Sequence, residues 1–149
     1  MKIMSIDSSS VTASVSITDN GKIMSEKFIN NGLTHSQTLM PMVNESLCES
    51  GLAVKDIDLF AVTFGPGSFT GIRIGIASVK GMADAVGKEC YAVSTLEAIA
   101  EPLTNEDAVV CAVMDARCNQ VYTALFYKGE RLCEDKAVLI DELGTELKK

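Results

Sequence analysis

An α/β fold is predicted by three features of this 149-residue sequence. Between Lys2 and Ile29, apolar residues alternate with hydroxyl residues at a period of two. From Ile57 to Phe64 a nearly continuous apolar run enters a glycine-rich loop and then a long helical pattern. A strand that ends in an aspartate and leads into a hairpin occurs twice, at Asp7 and at Asp115.

Each element follows in chain order. Ile3 and Ile6 form a short strand that stops at Asp7 and the polar cluster Ser8, Ser9, Ser10. Ala13, Val15 and Ile17 alternate with hydroxyls as in a half-buried strand. Asp19-Asn20-Gly21-Lys22 reads as a hairpin turn, because Asn-Gly tolerates the positive φ that a tight hairpin demands, and Ile23 to Ile29 returns as the third strand. Thr34-His35-Ser36-Gln37 has the form of a capping box. The helix it opens puts Leu39, Met40, Val43 and Leu47 on one face, turns Glu45 and Glu49 away and ends at Gly51; Pro41 should kink it or delay its start. Ile57 to Phe64 has the composition of a buried parallel strand. It passes through Gly65, Pro66, Gly67, Ser68, Phe69 and Thr70 into a helix running from Gly71 to about Val86. Tyr91 to Val93 is a further strand, and Ser94-Thr95-Leu96-Glu97 a second capping box. A three-strand meander followed by strand–helix alternation is the order of a ribonuclease-H-like lobe.

Past Pro102 the pattern restarts. Ala108 to Met114 reads as a buried strand ending in Asp115, Val121 to Tyr127 alternates, Lys128-Gly129 turns, and Leu132 to Ile140 returns before a helix capped by Asp141. The expected organisation is one lobe over residues 1–102 and the start of a second, incomplete lobe over 103–149.

Composition narrows the functional classes. With 13 Lys+Arg against 20 Asp+Glu the net charge is −7, so tight binding of RNA or DNA by this chain alone is not expected. No apolar stretch approaches the roughly 18 to 20 residues that span a bilayer. Asp7 cuts the opening apolar run too short for a signal-peptide core. Five cysteines (Cys48, Cys90, Cys111, Cys118, Cys133) without a CxxC pair read as free thiols in a reducing cytoplasm, with Cys90 and Cys111 as small buried hydrophobes. His35 is the single histidine, so a His-paired metal site or a conventional Ser-His-Asp triad finds little support, and neither catalytic nor metal-binding residues are assigned.

Two stretches invite a ligand or a partner. The glycine-rich loop is neither a P-loop nor a dinucleotide fingerprint, since no Lys-Ser or Lys-Thr closes it and Thr70 replaces the third glycine. Asp7, Ser8, Ser9 and Ser10 resemble the first phosphate loop of actin-like ATPases, but without its glycine, so a strand-terminal turn and a nucleotide contact stay equally open. In the second helix, Ile72, Ile76, Val79, Ala83 and Val86 share one apolar face. Gly71, Ile74, Ser78, Gly81, Met82 and Ala85 form a second face that is small or apolar, leaving Arg73, Lys80 and Asp84 as a narrow polar stripe. Such a helix is expected to be covered on both sides, the second time by another subunit, the alternative being glycine that serves tight helix–sheet packing.

The segments KIMSIDSSS, HSQTLMP, GPGSFTGIRIG with its downstream VKG, VSTLEAIA and DARCNQVY occur in this order along the whole chain. Together they resemble the TsaB (YeaZ) family of tRNA threonylcarbamoyladenosine biosynthesis proteins. Gln120, where the family commonly has an acid, and a Ser-rich opening triplet are the departures. The resemblance implies the actin-like/Hsp70-like (ASKHA) fold of two ribonuclease-H-like lobes. It also implies a non-catalytic scaffold in the transfer of threonylcarbamoyl to adenosine 37 of ANN-decoding tRNAs. Implied partners are a TsaD-like catalytic paralogue and a TsaE-like ATPase, with a homodimer when the chain is alone and tRNA met only through the complex. No cofactor would be held tightly, and ATP or ADP would be bound only in the assembled complex. Family pairing through the first-lobe helices falls on those that begin near His35 and Gly71, adding His35, Leu39 and Arg73 to the expected interface. The alternatives are an M22-like glycoprotease or metallopeptidase, and an actin-fold ATPase or kinase fragment.

Overall fold

The computed structural model describes residues 1–30 and 34–147, and the described chain divides into two compact units. The first comprises residues 1–64 and 68–93, the second residues 65–67 and 94–149. Its elements are β1 (Lys2–Asp7), β2 (Ala13–Asp19), β3 (Lys22–Ile29), α1 (His35–Ser50), β4 (Leu59–Gly65), α2 (Phe69–Val86), β5 (Glu89–Ser94), α3 (Thr95–Ala100), β6 (Val109–Arg117), β7 (Gln120–Tyr127), β8 (Glu130–Arg131), β9 (Lys136–Leu139) and α4 (Ile140–Glu146).

The first unit is a five-stranded sheet in the order β3-β2-β1-β4-β5. β1 pairs antiparallel with β2, β2 antiparallel with β3, and β1 parallel with β4. Asn20 and Gly21 take positive φ at the β2–β3 turn, as the hairpin reading requires. Register converts the period-two pattern into rows across one face: Ile17, Met4 and Phe60 in one, Val15, Ile6 and Val62 in the next. All six are buried beneath Leu39, Met42, Val43 and Leu47 of α1 and Val79, Met82 and Ala83 of α2. Each fully buried large side chain among them contributes about 1.5–3 kcal/mol of transfer free energy.

Several expectations change at the helices. Pro41 neither delays nor breaks α1, which runs through it, and Thr34 is the N-cap without a side-chain cap bond. Instead the Thr34 hydroxyl is spent on Ser36 and on Gln37 Oε1, so the capping box does not form. Met40 is exposed and Met42 takes its place in the core. At the second box the Ser94 hydroxyl does accept from the Glu97 N–H. Cys90 is exposed, because β5 is the end strand of the sheet; Cys111 is half-buried.

Two side-chain links tie the edges of this unit. Glu49 on α1 accepts from Ser25 at 2.7 Å and pairs with Lys27 of β3 at 2.7 Å. Asp58 accepts from the Lys2 N–H at 2.8 Å and lies 3.8 Å from Lys88. That N–H, with a smaller contribution from Lys88, holds the Asp58 carboxyl below its ordinary value of 3.8. The stability it gives is complete above that ordinary value and is lost as pH falls through the lowered one. Asp58→Asn is therefore expected to flatten the acid limb of the stability curve below about pH 4. Thermal unfolding across that range checks it, and an acid limb identical to wild type would rule the linkage out.

In the second unit β7 pairs with β6, β8 and β9. Val110, Ala112 and Met114 of β6 lie opposite Phe126, Ala124 and Tyr122 of β7, and α3 buries Leu96 and Ala100 on this face. Because α3 packs here, it groups with the second unit; the sequence boundary after residue 102 had placed it in the first. Of the return strand read over Leu132 to Ile140 only β9 forms, β8 lies just before that range, and the N-cap of the last helix is Leu139 rather than Asp141. Arg131 organises the break: it pairs with Asp135, donates to the Ser94 hydroxyl at 2.8 Å and stacks 4.8 Å above the Phe126 ring.

The strand–acid–hairpin repeat is reproduced in its hydrogen bonds. Asp7 Oδ1 accepts from the Ser9 N–H at 2.9 Å, and Asp115 Oδ1 from the Arg117 N–H at 2.7 Å.

Candidate partner-binding site

The turn after β1 is where the first unit's elements converge. Asp7 Oδ1 also accepts from the Thr63 hydroxyl of β4 at 2.5 Å. The Ser8 hydroxyl donates to the Gly71 carbonyl at 2.9 Å, and the Ser9 carbonyl accepts from the Ser68 N–H at 2.6 Å. The Ser10 carbonyl meets His35 Nε2 at 2.8 Å, and since a carbonyl only accepts, that nitrogen carries the hydrogen. Ser68 in turn caps α2, its hydroxyl accepting from the Gly71 N–H.

This geometry corrects the phosphate-loop expectation at two positions. Ser8 and Ser9 are 0% and 1% exposed, so neither hydroxyl faces a solvent-borne phosphate. Asp7 and Ser10 are half-buried, and the Ser10 hydroxyl is engaged with Thr12 at 2.6 Å. Among the described residues no cluster of three or more His, Cys, Asp or Glu could hold a metal ion.

The glycine-rich motif now has a packing explanation. A Cβ on Gly71 would fall 2.1 Å from the Ser8 carbonyl oxygen, and one on Gly75 would fall 2.4 Å from the Ser8 hydroxyl. These glycines let α2 lie directly on the turn. Gly65 and Gly67 adopt φ of 123° and 154°, which other residues rarely reach. Gly75 and Thr63 were missing from the sequence reading; the four-residue spacing of Gly71 and Gly75 was the signal for a close helix contact.

The expected interface residues separate into two groups. Gly71, Leu39 and Met82 are buried, turned inward and used by the unit's own packing, so they do not form an outer face; Gly71 is held there by the turn. His35 is half-buried with its ring against the turn rather than outward. Arg73, Gly81 and Ala85 are exposed, together with Ala77, Lys80 and Asp84, while Ile74 and Ser78 are half-buried. A Cβ on Gly81 would meet nothing within 4 Å. Phe69 is 74% exposed, with the Arg73 guanidinium 5.1 Å above its ring. What remains free on α2 is thus a shallow strip of small residues beside the charged stripe of Arg73, Lys80 and Asp84. On α1 the adjoining exposed positions are Met40, Pro41, Asn44, Glu45 and Cys48.

An antiparallel meander joined in parallel to a fourth strand, two helices on one face and a repeated strand–acid–hairpin define an actin-like α/β protein. The likeness extends to the ethanolamine utilization protein EutJ from Carboxydothermus hydrogenoformans, at TM-score 0.57 and 18% identity over 99% of this chain and 56% of that one, which concerns the fold alone.

The chain belongs to the TsaB family. It is 32% identical over its whole length to the tRNA threonylcarbamoyladenosine biosynthesis protein TsaB of Bacillus subtilis, covering 67% of that protein. It is 35% identical over 98% of its length to TsaB of Escherichia coli, covering 65% of that protein. The structure of YeaZ from Pseudomonas aeruginosa superposes at TM-score 0.81 with 31% identity, over 92% of this chain and 67% of that one. The family model described as TsaD, tRNA N6-adenosine threonylcarbamoyltransferase, matches residues 23–144, which relates the chain to the catalytic paralogue. The chain spans about two thirds of the length of the curated relatives it matches.

Proposed function

We propose that this chain is the non-catalytic pairing subunit of a complex that transfers threonylcarbamoyl to adenosine 37 of ANN-decoding tRNAs. Its partner is a TsaD-like catalytic paralogue, with a TsaE-like ATPase joining the assembly and a homodimer forming when the chain is alone. The observation that carries the reading is the outward strip of α2. Gly81, Ala77 and Ala85 are exposed small residues, and they permit a second helix to approach at the short end of the usual 8–10 Å axial separation. The relatives' printed names, which give tRNA threonylcarbamoyladenosine biosynthesis, support the pathway. A net charge of −7 supports tRNA being reached through the partner, and one histidine in the sequence supports leaving metal chemistry to the paralogue. ATP or ADP held only in the assembled complex belongs to the same proposal, and the burial of Ser8 and Ser9 beneath α2 supports the lack of a tight nucleotide site in this chain alone. No helix among the described residues is long and apolar enough to cross a membrane; a cytoplasmic complex is part of the proposal and is supported by the relatives' printed role in tRNA threonylcarbamoyladenosine biosynthesis.

The test is co-purification with the catalytic paralogue followed by reconstitution of tRNA modification. Modification is expected only when both chains are present with the ATPase and ATP. Full modification by the paralogue and ATPase without this chain, or absence of any stable pair, would overturn the proposal.

A further inference from the structure

Among the described residues the first turn of α1 lacks the usual N-terminal side-chain cap. Thr34 offers no side-chain cap bond, and no acidic residue stands in that turn to complement the helix N-terminus. What ties it to the rest of the unit is its own first residue, His35. Its Nε2–H donates to the Ser10 carbonyl, and its Cδ2 lies 2.9 Å from where a Gly71 Cβ would stand, so the ring backs directly on the first turn of α2. The same β1–β2 turn is bonded to α2 through Ser68 and Gly71. His35 is therefore the strut through which α1 joins a turn that already holds α2.

We propose that His35 is a positioning residue for the partner-binding face: without touching the partner, it fixes the first turn of α1 against that of α2. This inference rests on the pairing function proposed above. A strut of this kind acts through the spacing of two helices, so its loss shows first as lost pairing rather than as lost folding.

Two substitutions separate the hydrogen bond from the bulk. His35→Leu keeps a side chain of similar size against Gly71 but cannot donate; His35→Gln restores a donor of similar reach. With the full 149-residue chain, amide hydrogen exchange at Gln37–Thr38 and Gly71–Ile72 is expected to speed up in His35→Leu and to return toward wild type in His35→Gln. Affinity for the catalytic paralogue is expected to fall roughly tenfold in His35→Leu, the loss of about one hydrogen bond, and to be rescued by His35→Gln. Unchanged exchange in His35→Leu would overturn the strut. Faster exchange with unchanged pairing would reduce His35 to a structural residue and overturn the positioning role, as would failure of His35→Gln to rescue. If the wild-type chain itself does not pair, the proposed function falls and takes the partner half of this inference with it, while the exchange result still decides the strut.

Discussion

Gly71→Ala is expected to destabilise the first unit by about 3 kcal/mol, the upper range for overpacking a tight contact. The new methyl would lie 2.1 Å from a backbone oxygen, that of Ser8, which cannot rotate away as a side-chain tip could. Ser8 is itself fixed by the Gly71 carbonyl it donates to, and its neighbour Ser9 by Ser68. Relief requires α2 to lift from the turn, and that opens the core beneath Val79 and Met82. Helix propensity acts in the opposite direction, favouring alanine by about 1 kcal/mol, and is too small to compensate. Gly81→Ala isolates that propensity effect, because no atom stands within 4 Å of the added carbon. Urea unfolding should therefore move the midpoint down for Gly71→Ala and up for Gly81→Ala. A Gly71→Ala midpoint at or above wild type would show that the contact yields without cost.

Gly81→Arg is expected to leave the unit folded and to abolish pairing. The site is exposed and open, so the guanidinium stays in water while the chain is alone. In a helix–helix contact the same side chain would occupy the space a partner needs and lose its hydration there, which weakens association by about 2–4 kcal/mol when it falls at the centre of an interface. Ser78→Arg tests the same strip less cleanly, since Ser78 is half-buried. Sedimentation and circular dichroism together check the result. A folded Gly81→Arg variant that still associates fully, with itself or with the paralogue, would remove α2 from the interface.

Much of the fold was legible because its signals are local. Alternation of Ala13, Val15 and Ile17 against hydroxyls, Asn20-Gly21 at the turn and the apolar run into Gly65 need no knowledge of distant residues, and the strands fall where those patterns lie. The direction of α2 was not legible in that way. A helical wheel groups residues onto faces but does not say which face meets the sheet when both are small or apolar. Gly71 and Met82 consequently read as outer residues and proved to be inner ones. The burial of Ser8 and Ser9 was not legible for a related reason. Three consecutive hydroxyls look like ligands to a phosphate, yet Ser8 and Ser9 are buried against α2, whose Gly71 carbonyl, 63 residues beyond Ser8, accepts from the Ser8 hydroxyl. The bond from Arg131, beside the break between β8 and β9, to the Ser94 hydroxyl spans 37 residues, which no short window of sequence contains.

The two aspartate turns carry the same bond from carboxylate to the second following N–H, but they answer to different constraints. After Asp7 the chain is walled in, so inherited change at Ser8 and Ser9 is limited by volume: whatever stands there must fit beneath α2. After Asp115 the residues Arg117, Cys118 and Asn119 are exposed, and all three adopt positive φ between 51° and 65°. Side-chain size is of little consequence at that tip, whereas β-branching is costly and Gly, Asn or Asp is readily admitted. Natural variation should thus be filtered by steric fit in one copy of the turn and by backbone conformation in the other, so that the two copies of one local pattern tolerate change along different axes.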